Sequence, residues 1–143
     1  MGEIGICGDH CNCCPRFIAT INSEPSELKK VTELWTQVGW REVGTPIEEL
    51  MCYGCSSVKW CRYDTIRSCA QARGISNCGE CDDYPCPEIL DVLKRTEVFA
   101  EQCKKICSET DYRNLEKAFF LKRKKLDEIN AERLEFSGKG ICI

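Results

Sequence analysis

Fourteen cysteines in 143 residues, set mostly as C-x2-C and C-x3-C pairs, point to sulfur chemistry first. A load of roughly 10% cysteine marks either a disulfide scaffold or a metal-binding chain. Cys52-x2-Cys55 and Cys78-x2-Cys81 are two knuckles with 22 residues between them, slightly beyond the spacing usual for a four-cysteine zinc site. A C-x2-C turn lets two sulfurs converge on one ion about 2.3 Å away, and two such turns complete a tetrahedron. The first expected site is therefore Cys52, Cys55, Cys78 and Cys81. Cys7-x3-Cys11-x2-Cys14 supplies three more thiolates from one loop. Its fourth ligand must come from elsewhere, with Cys61, Cys69 or Cys86 as candidates and Cys69 or Cys86 preferred.

Zinc, as one or two ions, is the first expectation for these sites. Thiolate-only ligation also suits iron clusters, so a [4Fe-4S] cluster on the Cys7 loop is the alternative. The spacing of Cys7, Cys11 and Cys14 resembles that of radical S-adenosylmethionine enzymes, but the chain is too short for their barrel and the likeness is local. Cys78-x2-Cys81-x4-Cys86-Pro87 approaches the bacterial ferredoxin run and departs from its spacing.

The remaining sulfurs read differently. Cys103 and Cys107, four apart on a helix, fit an apolar stripe in which cysteine acts as a small hydrophobe. Cys13, next to Cys14, reads as a neighbour of a ligand with no role of its own, and Cys142 as incidental. His10, the lone histidine, reads as a polar loop side chain rather than a ligand. With no spare base, a Cys-His nucleophile pair outside the metal loop is not expected, and Gly138-Lys139-Gly140 lacks the spacing of a phosphate loop.

Composition narrows the setting. Residues 1–14 have neither a basic leader nor an apolar run, so no signal peptide or membrane span is expected. A reducing cytoplasm follows as the expected compartment, where paired cysteines serve metals or redox groups rather than structural disulfides. Net charge is −3, and a nucleic-acid partner, which needs a basic footprint, is not expected. The charge is uneven: residues 101–143 hold 10 Lys/Arg and 8 Asp/Glu, against 10 and 15 in residues 1–100. The sulfur-rich part is the acidic part.

These ligands need elements to hold them. Cys7 to Pro15 reads as a loop punctuated by Gly and Asn. Ser23 with Pro25 and Glu27 reads as a helix start, followed by Leu28, Val31, Leu34, Trp35 and Val38 at helical spacing up to Gly39. Thr45-Pro46-Ile47-Glu48 is a capping-box pattern predicting a turn of helix that leads to Cys52. Val58-Lys59-Trp60 suggests a scrap of strand, and Asp64 to Arg73 a short helix closed by Gly74. From Pro85 the pattern turns helical, with Ile89, Leu90, Leu93, Phe99, Cys103, Ile106 and Cys107 on one stripe. A last helix is predicted from Ser108-Glu109-Thr110-Asp111, with Leu115, Phe119, Leu126 and Ile129 facing one way and Ser137-Gly138 ending it. These two helices are expected to pack as an antiparallel hairpin. The run Lys122 to Lys125 reads as a solvated face, and Trp35, Trp40 and Trp60 as core or as apolar cover for the thiolates.

The ordered set Cys7-Gly8-x2-Cys11-x2-Cys14, Cys52-x2-Cys55, Cys61, Ile66-Arg67-x-Cys69 and Asn77-Cys78-x2-Cys81-x2-Tyr84-Pro85-Cys86 resembles the DUF3795 family over about residues 5–95. The resemblance implies a small cysteine-rich prokaryotic protein that binds metal, with no reaction, substrate or partner attached. Cys13, Cys103, Cys107 and Cys142 fall outside its pattern, as does the helix from about Ser108.

The expected fold is mainly α: a small cysteine-rich metal-bound domain with irregular ligand loops and a C-terminal helical hairpin. Residues 1–107 form the metal-binding part and 108–143 a helix packed on it. The expected function is metal binding as a structural or interaction module rather than an enzyme, although the sequence does not decide the latter; no partner is identified, a protein being the candidate, and no membrane partner is expected. An iron–sulfur redox protein, or a thiol-based metal carrier or sensor using spare cysteines such as Cys13, are the alternatives.

Overall fold

The computed structural model describes residues 4–54 and 63–141, and among them the chain is mainly helical with no strand beyond an isolated bridge between Ile4 and His10. Six α-helices follow in order: α1 (Pro15–Asn22), α2 (Pro25–Gln37), α3 (Asp64–Arg73), α4 (Pro87–Ile106), α5 (Glu109–Leu115) and α6 (Lys122–Ile141). Three start with proline in the first turn, where the missing N–H has no intrahelical partner to lose.

Helix α1 follows directly on the loop of residues 7–15, over residues for which the sequence pattern predicts no element. Its onset is Cys14-Pro15, and it ends at Ser23, which adopts a left-handed conformation (φ 54°) and donates its N–H to the Thr20 carbonyl. Ser23 thus closes α1 instead of opening α2, whose N-terminal flank is Glu24. After Pro46 the chain makes a single tight turn, Ile47–Leu50. Thr45 does not cap it, because its hydroxyl donates to the Glu42 carbonyl at 2.7 Å. Helix α3 has the predicted bounds, and Gly74 at φ 68° receives its end, a conformation glycine adopts without a Cβ penalty. Val58-Lys59-Trp60 lies outside the described residues.

Helix α4 begins at Pro87 rather than Pro85, with Cys86 as the capping residue; the Tyr84-Pro85 peptide before it is cis. Ser108 caps α5 by accepting the Asp111 N–H at 3.1 Å, as its sequence predicts. The last helical region is not continuous: a wide π turn at Glu116–Phe120 separates α5 from α6, and α6 runs past Ser137-Gly138. Helix α4 packs on α5 and on the π turn, whereas α6 packs chiefly against the short turn Cys78–Glu80. The C-terminal arm is therefore not one partner of a simple hairpin, since the π turn redirects it onto the cysteine turns.

Two apolar clusters result. One joins Ala19, Leu28, Val31, Leu34, Trp35, Val38, Leu50, Cys103 and Leu115. Around it the rings of Trp35, Trp40 and Phe119 meet edge to face with centroids 5.2–5.9 Å apart, the arrangement favoured by their quadrupoles. The other joins Cys7, Ile66, Cys78, Ile89, Val92 and Leu126, so the first and third cysteine groups share one core. Among the described residues no helix is long and apolar enough to cross a membrane.

Candidate metal-binding site

The Cys7 loop is a folded turn. Gly5 donates to the Asp9 carbonyl at 2.7 Å and Gly8 to the Gly5 carbonyl at 3.0 Å, with Gly8 at φ 97°. A Cβ on Gly8 would lie 3.0 Å from the Leu126 side chain and 3.1 Å from the Lys122 backbone. Glycine is required here by both its conformation and its closeness to α6. Cys11–Cys13 forms a tight helical turn, Cys14 returns an N–H to the Cys11 carbonyl at 3.0 Å, and α1 follows at once. Helix α1 in turn brings in Cys52: the Thr20 hydroxyl accepts the Cys52 N–H at 2.9 Å, and the Arg16 guanidinium donates to the carbonyls of Leu50 and Glu49.

Cys7, Cys11, Cys14 and Cys52 line one cavity of about 180 Å³, covered by Trp35, Trp40 and Phe119. Lys122 lies on the same wall with only 4% of its surface exposed. It forms an ion pair with Asp9 and donates to the Phe119 carbonyl at 2.7 Å. Burial pushes the ammonium's pKa down, but Asp9 together with the Cys7 and Tyr63 groups outweighs it and the net shift is up. A buried ammonium held charged beside four sulfurs offsets the charge of thiolates. Cys14 itself is pushed up to about 12, first by burial, with Asp9 and Cys52 adding to it against the opposing N–H groups of Phe17 and Arg16.

The other described cysteines of the pattern gather elsewhere. In the turn Cys78–Glu80 the Asn77 side chain accepts the Gly79 N–H at 2.9 Å, and Cys81 donates its N–H to the Cys78 carbonyl. A Cβ on Gly79 would lie 2.9 Å from the Leu126 carbonyl oxygen and 3.0 Å from Ile129, which is how α6 seats on this turn. Cys69 arrives on α3 and Cys86 at the start of α4, where its sulfur accepts the Ile89 N–H at 3.5 Å. Cys69, Cys78, Cys81 and Cys86 line a common cavity of about 400 Å³ with Arg73 and Asp83. Arg73 donates to the Cys81 sulfur at 3.1 Å and pairs with Asp83 at 2.9 Å, and the Asp83 N–H reaches the same sulfur at 3.4 Å. Burial pushes Cys78 up to about 12, helped by Cys86, Cys81 and Cys69 and opposed by Arg73.

The grouping differs from the expected one. Cys52 sits with the Cys7 loop, while Cys78 and Cys81 sit with Cys69 and Cys86. The reason is local: α1 pins the Cys52 backbone, and Cys86 is held as the cap of α4, its sulfur accepting the Ile89 N–H. Cys55 and Cys61 lie outside the described residues, as do Trp60 and Cys142. Among the described residues no three or more His, Cys, Asp or Glu side chains stand close enough to grip one ion. The donor set nonetheless suits a thiophilic metal: four sulfurs per cavity, N–H donors to sulfur, a cation beside each group and apolar cover.

Cys13 lies on a separate groove with its sulfur 3.3 Å from His10 Nδ1. Cys103 is buried in the first apolar cluster, with Cys107 packed against it, matching the core reading. Lys122, Asp9 and Arg73 are the site residues that sequence reasoning missed. For Lys122 a signal existed, since positions 119, 122, 126 and 129 share one helical stripe, and a lysine inside an apolar stripe needs a buried partner.

No curated protein and no solved structure matches this chain. A family model does, over residues 3–91, described as a protein of unknown function. The Glu116–Phe120 π turn and α6, which pack on the Cys11–Cys13 and Cys78–Glu80 turns, lie beyond that match. With the model spanning all ten cysteines from Cys7 to Cys86 that the sequence singles out, the chain belongs to the DUF3795 family.

Proposed function

We propose that this chain is a metal-binding protein carrying two cysteine centres, one on Cys7, Cys11, Cys14 and Cys52 and one on Cys69, Cys78, Cys81 and Cys86, with zinc as the ion and structural or interaction work as the role. The observation that carries this reading is the sorting of eight cysteines, from four places in the chain, into two groups of four that each face one cavity. A divalent ion with four thiolates holds two excess negative charges, and Lys122 and Arg73 stand where they offset them. Bound zinc would cross-link the turns and supply folding free energy, which is why its removal should unfold the cysteine-rich part. Cys55 remains a candidate ligand for the first centre by its two-residue spacing from Cys52. A reducing compartment suits this chemistry because it keeps the thiols free.

One observation favours iron in the first centre: three of its cysteines, Cys7, Cys11 and Cys14, come from one short turn and are all buried, and thiolate-only ligation suits an iron–sulfur cluster as well as zinc. The deciding experiment is metal content and visible spectrum of protein purified without oxygen. About two zinc per chain with no visible absorbance supports the main reading. Iron with sulfide and broad absorption near ~400 nm, the mark of thiolate-ligated clusters, favours the second. Protein that is metal-free, folded and indifferent to added zinc or iron would falsify both.

A further inference from the structure

The cavity beside the Cys7 loop sets a buried cation among aromatic rings. Trp40 is the centre of the aromatic wall, edge to face with Trp35, Phe119 and Phe99 at centroid distances of 5.2, 5.7 and 6.4 Å. Lys122 lines the same cavity with its side chain 4% exposed. An ammonium carries three N–H groups, and among the described residues that of Lys122 has two hydrogen-bonding partners, Asp9 and the Phe119 carbonyl. A buried N–H left without an acceptor costs stability, so the third calls for a partner. Arg16 also lines the cavity, and among the described residues its bonds go to the uncharged carbonyls of Glu49, Leu50 and Met51. With Arg41, three cations and one carboxylate, that of Asp9, face this space.

We infer that this cavity binds a single-ring aromatic carboxylate, its ring against Trp40 and Phe99 and its carboxylate on Lys122. The size fits: a cavity of about 150 Å³ holds benzene, whereas one water needs only about 10–15 Å³, and the space here is about 180 Å³. A water on Lys122 would leave most of that space facing aromatic rings, a lining that favours an apolar body with one placed polar group. The carboxylate supplies the acceptor that the third N–H lacks, in a charge-assisted hydrogen bond stronger than a neutral one, and it meets more cations than anions. A cationic ligand would set its charge against Lys122. Such binding asks nothing of the sulfurs and goes beyond the metal reading. It is also compatible with it, since the two excess charges of a metal held by four thiolates, added to Asp9, only balance the three cations.

The test is a titration of the full chain, as purified, with benzoate, followed by tryptophan emission. Benzoate should saturate the signal and bind about tenfold more tightly than benzyl alcohol, which has the ring without the charge. Acetate, which has the charge without the ring, should not saturate it. In the NMR spectrum of the unaltered protein, benzoate should shift the indole N–H signals of Trp35 and Trp40. Phe99→Leu should weaken benzoate roughly threefold, and Arg73→Ala, at the other cavity, should leave it unchanged. Lys122→Met strips Asp9 of its partner, so it is combined with Asp9→Asn, and the pair should lose the preference for benzoate over benzyl alcohol. Benzoate and benzyl alcohol binding alike, acetate binding as well as benzoate, or indole signals that stay in place would each overturn the inference. None of these outcomes bears on the metal reading, whose readout is metal content.

Discussion

Replacing Gly79 by alanine tests whether α6 seats on the Cys78 turn as described. Gly79 does not sit at a positive φ, so alanine meets no backbone strain there. On conformational entropy alone the change would stabilise the fold by about 0.4–1 kcal/mol, because alanine has fewer unfolded states to lose. Against that, the new methyl would lie 2.9 Å from the Leu126 carbonyl oxygen and 3.0 Å from both the Asn77 side-chain oxygen and Ile129 Cβ. Two of those neighbours cannot move cheaply: the carbonyl belongs to a helix backbone, and the Asn77 oxygen already accepts the Gly79 N–H. Overpacking of this kind typically costs about 1–3 kcal/mol. The cost outweighs the gain, and the expected result is a net loss of about 1–2 kcal/mol. For a chain of this size that corresponds to a melting temperature lower by roughly 3–6 °C. Urea unfolding of the metal-loaded protein gives the number directly, with an unchanged slope showing that the surface exposed on unfolding is the same. An alanine variant as stable as the parent, or more so, refutes the seating of α6 on this turn.

Three further outcomes are expected. Thr20→Val keeps the shape of a 2% exposed side chain but leaves the Cys52 N–H without its acceptor, so denaturant unfolding should show a loss of about 1–3 kcal/mol, with Thr20→Ser close to the parent. Lys122→Met removes the partner of Asp9 and should cost about 3 kcal/mol by the same measurement, with a second change, Asp9→Asn, recovering part of it. Burial first, and then Cys107 beside it, raises Cys103 from 9.0 to about 11. The folded value lies above the unfolded one, so this contribution to stability is complete below pH 9 and is lost as pH rises through 11. Stability measured across that window should fall less steeply for Cys103→Ala than for the parent.

Helices α2, α3 and α4 were legible because each combines a helical stripe with a proline start or a glycine end, and such signals act within one turn of chain. Helix α1 was missed because Pro15 reads as the end of the cysteine loop, whereas it is the first residue of the helix, a position that suits proline. The break between α5 and α6 was hidden too: the apolar positions 115, 119, 126 and 129 keep helical spacing across a π turn, and spacing alone does not record a redirected axis. The pairing of the cysteines was plain in the sequence, and which of them share a cavity was not. Knuckle spacing suggests that Cys52 and Cys78 share a site, but Cys52 is placed by a hydroxyl on α1 and Cys86 by the turn before α4. Those contacts span long stretches of chain and leave no local trace. Lys122 shows the same limit: within a run of four basic residues it is the one whose register turns it inward.

The backbone bond from the Cys78 N–H to the Ile6 carbonyl, 2.9 Å long, and the burial of Leu126 against both cysteine turns also set an order of events during synthesis. Residues 6 and 78 are 72 apart, and closing so long a loop is entropically slow to reward. Leu126 comes 112 residues after Cys14, which at a synthesis rate of about 5–20 residues per second is a delay of roughly 6–22 s. For that interval the N-terminal thiols are made but not yet covered by α6. Ribosome-bound chains halted before Leu126 should accordingly react at Cys7, Cys11 and Cys14 with a thiol probe, and chains halted well beyond it should not. The N-terminal turn is the first sulfur to be made and among the last to be enclosed.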